Sequence, residues 1–375
     1  RLAAAGQKCG DQNTVISLMD RGRYGAKLEQ ANCTVHCLQM PRGRITLRGL
    51  LTLYSIIKSA RPDVVQTWMY HADLIGGITA RLAGVKAVVW GIRHANFDRD
   101  KNAGSTPRII KLCAWLSSTI PARIVCCSVN AAPLHKKIGY RANKIIVIPN
   151  GYELGELQPC PESGRRIREE FKLDENAPLI GMVARFDPQK DHQNLIEALM
   201  LLRRQHRVFT CLLVGCDMTP GNDHLMRRLQ QAGVEKNVFL LGPRNDIPAI
   251  MNALDVHVLS SLGEAFPNVL AEAMACATPC VTTNVGDASL IVGNTGWVVP
   301  ARNAQSLSNA IALALDERRL QPLTWQRRRD DCRQRIVQNF SLKKMLASYH
   351  AVWADTAKCN RPFSSAPACG PSKFK

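Results

Sequence analysis

Two carboxylates and two cations stand where this sequence could do chemistry. Glu264 and Glu272 are separated by seven residues in "GEAFPNVLAEAMACATPCV", Gly263 to Val281. The segment follows the apolar run "DVHVLSS" and reads as loop, then helix. Pro267 suits the first helical position, where its missing N–H is not needed. The amides of Asn268, Val269 and Leu270 then point out of a helix end that carries partial positive charge and favours phosphate. Asn268 and Glu272 are four apart and share one helix face. A carboxylate there can accept two hydrogen bonds from a vicinal diol such as a ribose, and Glu264 can reach a second set of hydroxyls beyond the phosphates. The alternative is that Glu272 is satisfied by the helix dipole or by a nearby Arg.

The cations lie in "LIGMVARFDPQKDHQNLIEAL", read as strand, loop and helix. Arg185 ends the strand and Lys190 opens the helix. A planar guanidinium fork and a point-charge ammonium on one loop can both reach a diphosphate; the bland alternative is a pair of solvated surface charges. His94, in "VVWGIRHANFD", follows a strand of the first half and would face a cleft from the opposite wall, unless it is structural. His71, in "MYHADLIGG", opens a helix and is the weaker candidate. Asp98 and Asp100 form a D-x-D that could hold a metal–diphosphate, a pattern short enough to arise by chance. Neither a Walker loop nor a G-x-G-x-x-G fingerprint occurs.

Parallel sheets would position these loops. Strand candidates are "TVISLM", "CTVHCL", "DVVQTW", "KAVVWGI", "RIVCCS" and "KIIVIP", then "PLIGMVAR", "FTCLLVG", "NVFLLG", "DVHVLS", "PCVTT" and "GWVVP". Near-continuous apolar strands alternating with helical stretches imply sheets covered on both faces. The pattern occurs twice, which predicts two doubly wound α/β domains with a cleft at the carboxyl ends of their strands. "NGYELGELQPCPESG", residues 150–164, reads as the linker. The expected division is 1–155, 156–340, a C-terminal helix at 341–357 and a disordered Pro/Ser-rich tail at 358–375.

The 375 residues carry a net charge of +19. Residues 1–155 hold 22 Lys and Arg against 8 Asp and Glu, the rest 27 against 22. A basic first half points to an anionic partner, nucleic acid or membrane surface, unless it is a generic basic surface. No apolar run reaches the roughly 18 residues of a membrane span. The 14 cysteines include no C-x-x-C pair and favour reduced thiols of a cytosolic protein. The opening "RLAAAGQKCG" reads as the tail of a helix, which suggests a fragment or a processed form.

Taken in order, the motifs resemble the retaining family-4 glycosyltransferases of the GT-B fold (glycosyl transferases group 1). "SSLGEAFPNVLAEAMA" resembles their paired-glutamate signature, "IPNGYE" their inter-domain segment, and "GMVARFDPQKDH" their phosphate-binding segment. "GPRNDIPAIMNALDVHVLSS" resembles the approach to the glutamates, and the match runs from about residue 10 to 355. The resemblance implies two Rossmann-like domains facing a central cleft. Arg185 and Lys190 would hold the donor diphosphate, Glu272 the ribose, Glu264 the donor hexose, and the amides after Phe266 the distal phosphate. His94 would lie beside the donor sugar and Arg244 near the base.

The departures are an absent first strand and glycine-rich loop, Ala277 where Gly is usual, and Asp287 where a second Gly is common. The missing strand would be central in the first sheet, and such a chain would bind donor weakly or be inactive. The expected activity is a metal-independent, retaining transfer of a hexose from a nucleotide diphosphate-sugar to a lipid-linked or saccharide acceptor, in cell-surface polysaccharide or glycolipid synthesis. No cofactor and no nucleic acid is expected, and the location is cytoplasmic, peripheral on an anionic membrane face. The rivals are a GT-B-like sugar-nucleotide epimerase, a non-enzymatic basic binding module, and an inactive fragment.

Overall fold

The computed structural model describes residues 1–94 and 106–358. The Asp98–Asp100 pair and all but the first residue of the expected tail lie outside the described residues. The first domain runs α1 (Leu2–Lys8), β1 (Thr14–Ser17), α2 (Gly25–Gln30), β2 (Thr34–Cys37), α3 (Leu47–Ala60) and β3 (Val65–Gln66). It continues through α4 (Tyr70–Leu82), β4 (Val88–Ile92), α5 (Thr106–Leu116), β5 (Arg123–Cys126), α6 (Ala131–Ile138) and β6 (Ile145–Val147). The second opens with α7 (Pro161–Glu170), β7 (Leu179–Val183), α8 (His192–Arg204), β8 (Thr210–Val214), α9 (Asp223–Ala232) and β9 (Val238–Gly242). There follow α10 (Ile247–Ala253), β10 (Val256–Leu259), α11 (Asn268–Ala275), β11 (Cys280–Thr283), α12 (Ala288–Val292) and β12 (Trp297–Val299). The long helices α13 (Ala304–Leu320), α14 (Pro322–Asn339) and α15 (Leu342–Ala357) are the last elements among the described residues. Every expected strand forms, shortened at its ends.

All strand pairs are parallel. The second domain is one six-stranded sheet in the order β12-β11-β10-β7-β8-β9, the doubly wound order in which the winding reverses between β7 and β10. The first domain is in two pieces, a β1–β2 pair and a β3-β4-β5-β6 sheet. Its central strand β4 is buried throughout, and alternation splits its side chains between two cores. Val88, Trp90 and Ile92 meet α3, α4, α5 and α6, whereas Val89 faces Met345, Tyr349 and Val352 of α15. The last helix therefore crosses back and covers the open face of the first sheet.

That crossing is tight. Tyr152 bridges to Ser341 in parallel register, and a Cβ on Gly151 would stand 2.8 Å from the Ser341 carbonyl oxygen. The linker is shorter than expected, because α7 already begins at Pro161, a favoured residue in a first helical turn. Gly164 is likewise no linker glycine. A Cβ there would meet the Asn252 carbonyl oxygen at 2.5 Å, so glycine lets α7 pack directly on the end of α10.

Candidate active site

The residues singled out for the donor converge where the second sheet reverses. β7 and β10 are neighbours, so the loops at their carboxyl ends meet although about 70 residues apart in sequence. Lys190 Nζ lies 2.5 Å from Glu264 Oε1, and the Ser261 hydroxyl donates to the same oxygen at 2.8 Å. Both charged side chains are largely buried, 18% and 12% exposed. Lys190 is therefore not the loosely solvated loop cation of the bland alternative. Arg185 stays more exposed and pairs with Asp187 at 3.0 Å. Burial opposes ionisation of Asp187, yet the Gln189 amide and the Arg185 guanidinium hold its carboxyl below its ordinary value.

Backbone and hydroxyl contacts fix these loops. The Asp187 side chain accepts from the Gln189 amide and starts a short turn through Pro188–Lys190. Asp191, left-handed at φ 48°, then caps α8. Ser260, just after β10, donates to the Lys190 and Asp191 carbonyls at 2.9 and 3.0 Å. The Gln189 side-chain amide donates to the Gly263 carbonyl, and its backbone carbonyl accepts from the Leu262 amide. Ser260, Ser261, Asp187 and Gln189 are not among the residues singled out from the sequence. The signal available was their place, within a few residues of Lys190 or Glu264.

Pro267 is the cap of α11 rather than its first residue. Its ψ of 95° is extended, so the helix starts at Asn268. Phe266 is buried edge-on against Phe340, which anchors the loop just before the helix end. Asn268 and Glu272 do share a face. Asn268 Oδ1 accepts from the Tyr152 hydroxyl at 2.6 Å and from Asn150 Nδ2 at 2.9 Å. Glu272 Oε1 accepts from Arg1 Nη2 at 2.6 Å, and the Arg1 guanidinium lies over the Tyr152 ring. Part of the alternative for Glu272 thus holds, since an arginine does satisfy it. Val269 is half-buried and packs against the second core.

His94 follows β4, half-buried at the carboxyl edge of the first sheet. Its neighbour Arg93 lies 4.4 Å above the Trp68 ring, donates to Tyr349 Oη at 3.1 Å, and donates to Asn150 Oδ1. Since Asn150 also reaches Asn268, a polar chain links the His94 segment to the start of α11. His71 is the second residue of α4, half-buried. Arg244 follows the edge strand β9. Its guanidinium is held by Asp246 at 2.7 Å and Glu170 at 2.6 Å, which raise its pKa. A cavity of about 1290 Å³ lies at the other end of the second sheet, lined by Pro178, Val208 and Asp255 ahead of β7, β8 and β10. It is remote from all these residues.

A doubly wound parallel sheet with cations and a glutamate at its switch point, joined to a second parallel α/β domain, is the arrangement of a GT-B glycosyltransferase fold. Comparison with solved structures agrees. Anabaena Alr3699/HepE, solved in complex with UDP, superposes with a TM-score of 0.81 at 20% identity, covering 94% of this chain and 95% of that one. "Glycosyltransferase Family 4" matches residues 1–156, and "Glycosyl transferases group 1" matches residues 164–335. The 2-deoxystreptamine glucosyltransferase of Streptomyces kanamyceticus is 30% identical over 78% of this chain and 81% of its own length. The UDP-Gal:alpha-D-GlcNAc-diphosphoundecaprenol alpha-1,3-galactosyltransferase of Escherichia coli is 28% identical over 82% of this chain and 79% of its own. The chain belongs to the family-4, group 1 glycosyltransferases.

Two expected outcomes test the roles assigned to Lys190 and Glu272. Lys190→Ala should lower turnover by about 10²–10³, the cost of losing one donor to developing negative charge. It should also destabilise the fold by about 1–3 kcal/mol, because Glu264 loses its cation in a largely buried setting. Adding Glu264→Gln should restore most of that stability in urea titrations but none of the turnover; wild-type turnover in Lys190→Ala would exclude the phosphate role. Glu272→Ala should weaken nucleotide binding by about 1.5–3 kcal/mol. A 2′,3′-dideoxy nucleotide should bind the wild type poorly and the variant about equally in calorimetry, and additive losses in that cycle would dismiss the ribose assignment.

Proposed function

We propose that this glycosyltransferase moves a hexose from a nucleotide diphosphate-sugar to an acceptor hydroxyl with retention at the anomeric carbon. The observation that carries the reading is the Lys190–Glu264 contact beside Arg185 and the start of α11. It supports the reading because a cation suited to phosphate stands against a carboxylate able to hold sugar hydroxyls. In the reaction, the bond from the anomeric carbon to the diphosphate oxygen breaks, and a bond to the acceptor oxygen forms on the same face. The acceptor proton passes to the departing diphosphate. Arg185, Lys190 and the amino-terminal end of α11 meet the charge that develops on the leaving group, stabilisation that is organised before reaction. Glu272 holds the ribose, and His94 stands on the opposite wall beside the hexose. No cofactor and no metal enters this scheme.

The test is nucleotide release from a panel of sugar nucleotides, with and without acceptor, followed by the anomeric configuration of the product. Release should depend on acceptor, survive excess EDTA and yield the donor's own anomer. Loss of activity with EDTA, restored by Mg²⁺ or Mn²⁺, would bring Asp98 and Asp100 back into the mechanism. An epimerised sugar nucleotide without acceptor would favour the epimerase reading.

A lipid-linked acceptor, in polysaccharide or glycolipid synthesis at the cytoplasmic membrane face, is the substrate class we favour. The Escherichia coli relative is named for a diphosphoundecaprenol-linked acceptor. Among the described residues no helix is long and apolar enough to cross a membrane. The first domain instead presents amphipathic faces outward. On α3, Gly49, Leu53 and Ile57 are buried, while Leu47 (73% exposed), Leu51 (60%) and Tyr54 face out beside Arg44, Arg48 and Lys58. On α5, Arg108, Lys111, Leu112 and Trp115 (74% exposed) do the same. Such faces can lie among head groups, each basic residue contributing about 1 kcal/mol on an anionic surface. Sedimentation with vesicles should require anionic lipid, collapse at high salt and weaken when Arg42, Arg44 and Arg48 become Ser. Equal binding to neutral vesicles, or none to either, would favour a soluble acceptor.

A further inference from the structure

Asp287 stands out in the sequence only as a departure, an acid where glycine is common. It is fully buried, and its carboxylate leaves its own domain. Oδ1 accepts from the Ser128 hydroxyl at 2.8 Å, the Asn130 amide at 3.0 Å and Asn130 Nδ2 at 3.0 Å. Oδ2 accepts from the Val129 amide at 2.7 Å. All four donors belong to the turn between β5 and α6 of the first domain. Ser128 in turn accepts from the Ala131 amide at 3.1 Å, so the carboxylate sits on the opening turn of α6, where helix amides and dipole favour an anion. Asn130 Nδ2 also donates to the Gly286 carbonyl at 2.6 Å. Cys127, just before this turn, packs into the core of the second domain. A buried carboxylate is tolerated only when its lone pairs are met, and here they are met entirely from the other domain.

The same residue holds the loop of the glutamate motif. The Asp287 amide donates to the Ala265 carbonyl at 3.0 Å. Gly286, left-handed at φ 53°, lies so close that a Cβ would stand 2.3 Å from the Glu264 carbonyl oxygen and 2.6 Å from that of Ala265. The side chain of Asp287 thus grips the first domain while its backbone supports Glu264. A glycine in place of Asp287 would keep the second contact and lose the first.

We propose that Asp287 is a positioning residue, an inter-domain latch that couples docking of the β5–α6 turn to the placement of Glu264 for sugar transfer. It rests on the donor-site reading above for the role of Glu264. When the latch is made, the wall that bears His94 and the loop that bears Glu264 are fixed in one frame. When it is broken, the donor still meets Lys190 and Glu272, which both belong to the second domain, but the two walls are no longer in register.

The test uses Asp287→Asn, and Ser128→Ala with Asn130→Ala on the facing domain. The Asp287→Asn change keeps the size of the side chain and removes both the charge and the capacity to accept four hydrogen bonds. Turnover should fall by about 10²-fold, the scale set by misplacing a catalytic group by roughly an ångström. The dissociation constant for nucleoside diphosphate should change less than about twofold, since those contacts lie within one domain. Small-angle scattering should show a larger radius of gyration. Adding Asp287→Asn to the Ser128/Asn130 double variant should cost less than it does in the wild type, because the two side-chain donors are already lost and only the Val129 and Asn130 amides remain.

Unchanged turnover in both variants, or additive losses between them, would overturn the latch. If Asp287→Asn fails to fold, the Ser128/Asn130 variant decides alone, by a fall in turnover at intact nucleotide affinity. Failure of the donor-site reading is a separate outcome, in which Lys190→Ala and Glu272→Ala leave nucleotide affinity intact while the Asp287–Asn130 coupling persists in stability measurements.

Discussion

The parallel pairing of β10 with β7 is the constraint on which the rest of the site depends. Val256 pairs with Ile180 and His257 with Gly181, so the carboxyl ends of two strands distant in sequence come level. Winding proceeds outward from β7 through β8 to β9, then returns to β10 and continues outward to β12. Only between β7 and β10 do the following helices depart to opposite faces, leaving a crevice unblocked by a crossover. The loop that carries Arg185 and Lys190 lies on one side of it and the loop that carries Glu264 on the other. Shifting the register would separate Lys190 from Glu264 whatever the identity of the side chains. Gly181 makes room at that pairing, since a Cβ there would stand 2.7 Å from a methyl group of the Leu254 side chain.

The second frame of reference is the way the domains are sewn together. The chain leaves the first domain at Ile148–Asn150 and returns at Ser341 beside Tyr152, and α15 then packs on the first sheet with Tyr349 between Trp68 and Trp353. At this crossing Arg93, Asn150, Tyr152 and Asn268 form a continuous polar chain from the end of β4 to α11. Burial lifts the Tyr152 phenol well above its ordinary pKa, with the Glu272 charge adding to it, so Tyr152 is a neutral donor toward Asn268 at any physiological pH. The contact of Asp287 with Ser128–Asn130 is separate from this crossing. Two independent ties constrain a relative rotation far more than one, and both end on residues adjoining the paired glutamates.

Much of this was legible in the sequence because it is local. Strand positions follow from apolar runs, and the candidate residues from their offsets after those runs. Ala277 illustrates how a local departure acquires a cause: it adopts φ 59°, a left-handed conformation that costs a residue with a Cβ about 1–2 kcal/mol, which is why glycine is usual there. What was not legible depends on partners brought by tertiary structure. Nothing in "GPRND" or "REEF" announces that Glu170 will claim Arg244. Asn150 and Tyr152 read as linker residues, and only the return of the chain at Ser341 makes them neighbours of Asn268. Ser128 and Asn130 carried no signal, because their function is to receive a carboxylate that lies 157 residues beyond Asn130.

The pairing of charges bears on how a donor would be received. Arg185 is matched by Asp187 and Lys190 by Glu264, so the loops at the switch point carry no net charge from these four groups. Two buried charges in contact offset each other's desolvation, which lets a lysine and a glutamate stay folded in place where either alone would be costly. On the reading proposed above, a diphosphate competes with Glu264 for Lys190. That exchange is nearly balanced, since one anion replaces another beside the same ammonium. The carboxylate so released keeps the Ser261 hydroxyl as a donor and needs new partners for its remaining lone pairs. Sugar hydroxyls are donors of the right kind, and they arrive covalently joined to the diphosphate that displaced the carboxylate. On that reading a free nucleotide diphosphate would release Glu264 without satisfying it, and the Lys190–Glu264 pair would favour the intact donor over its product.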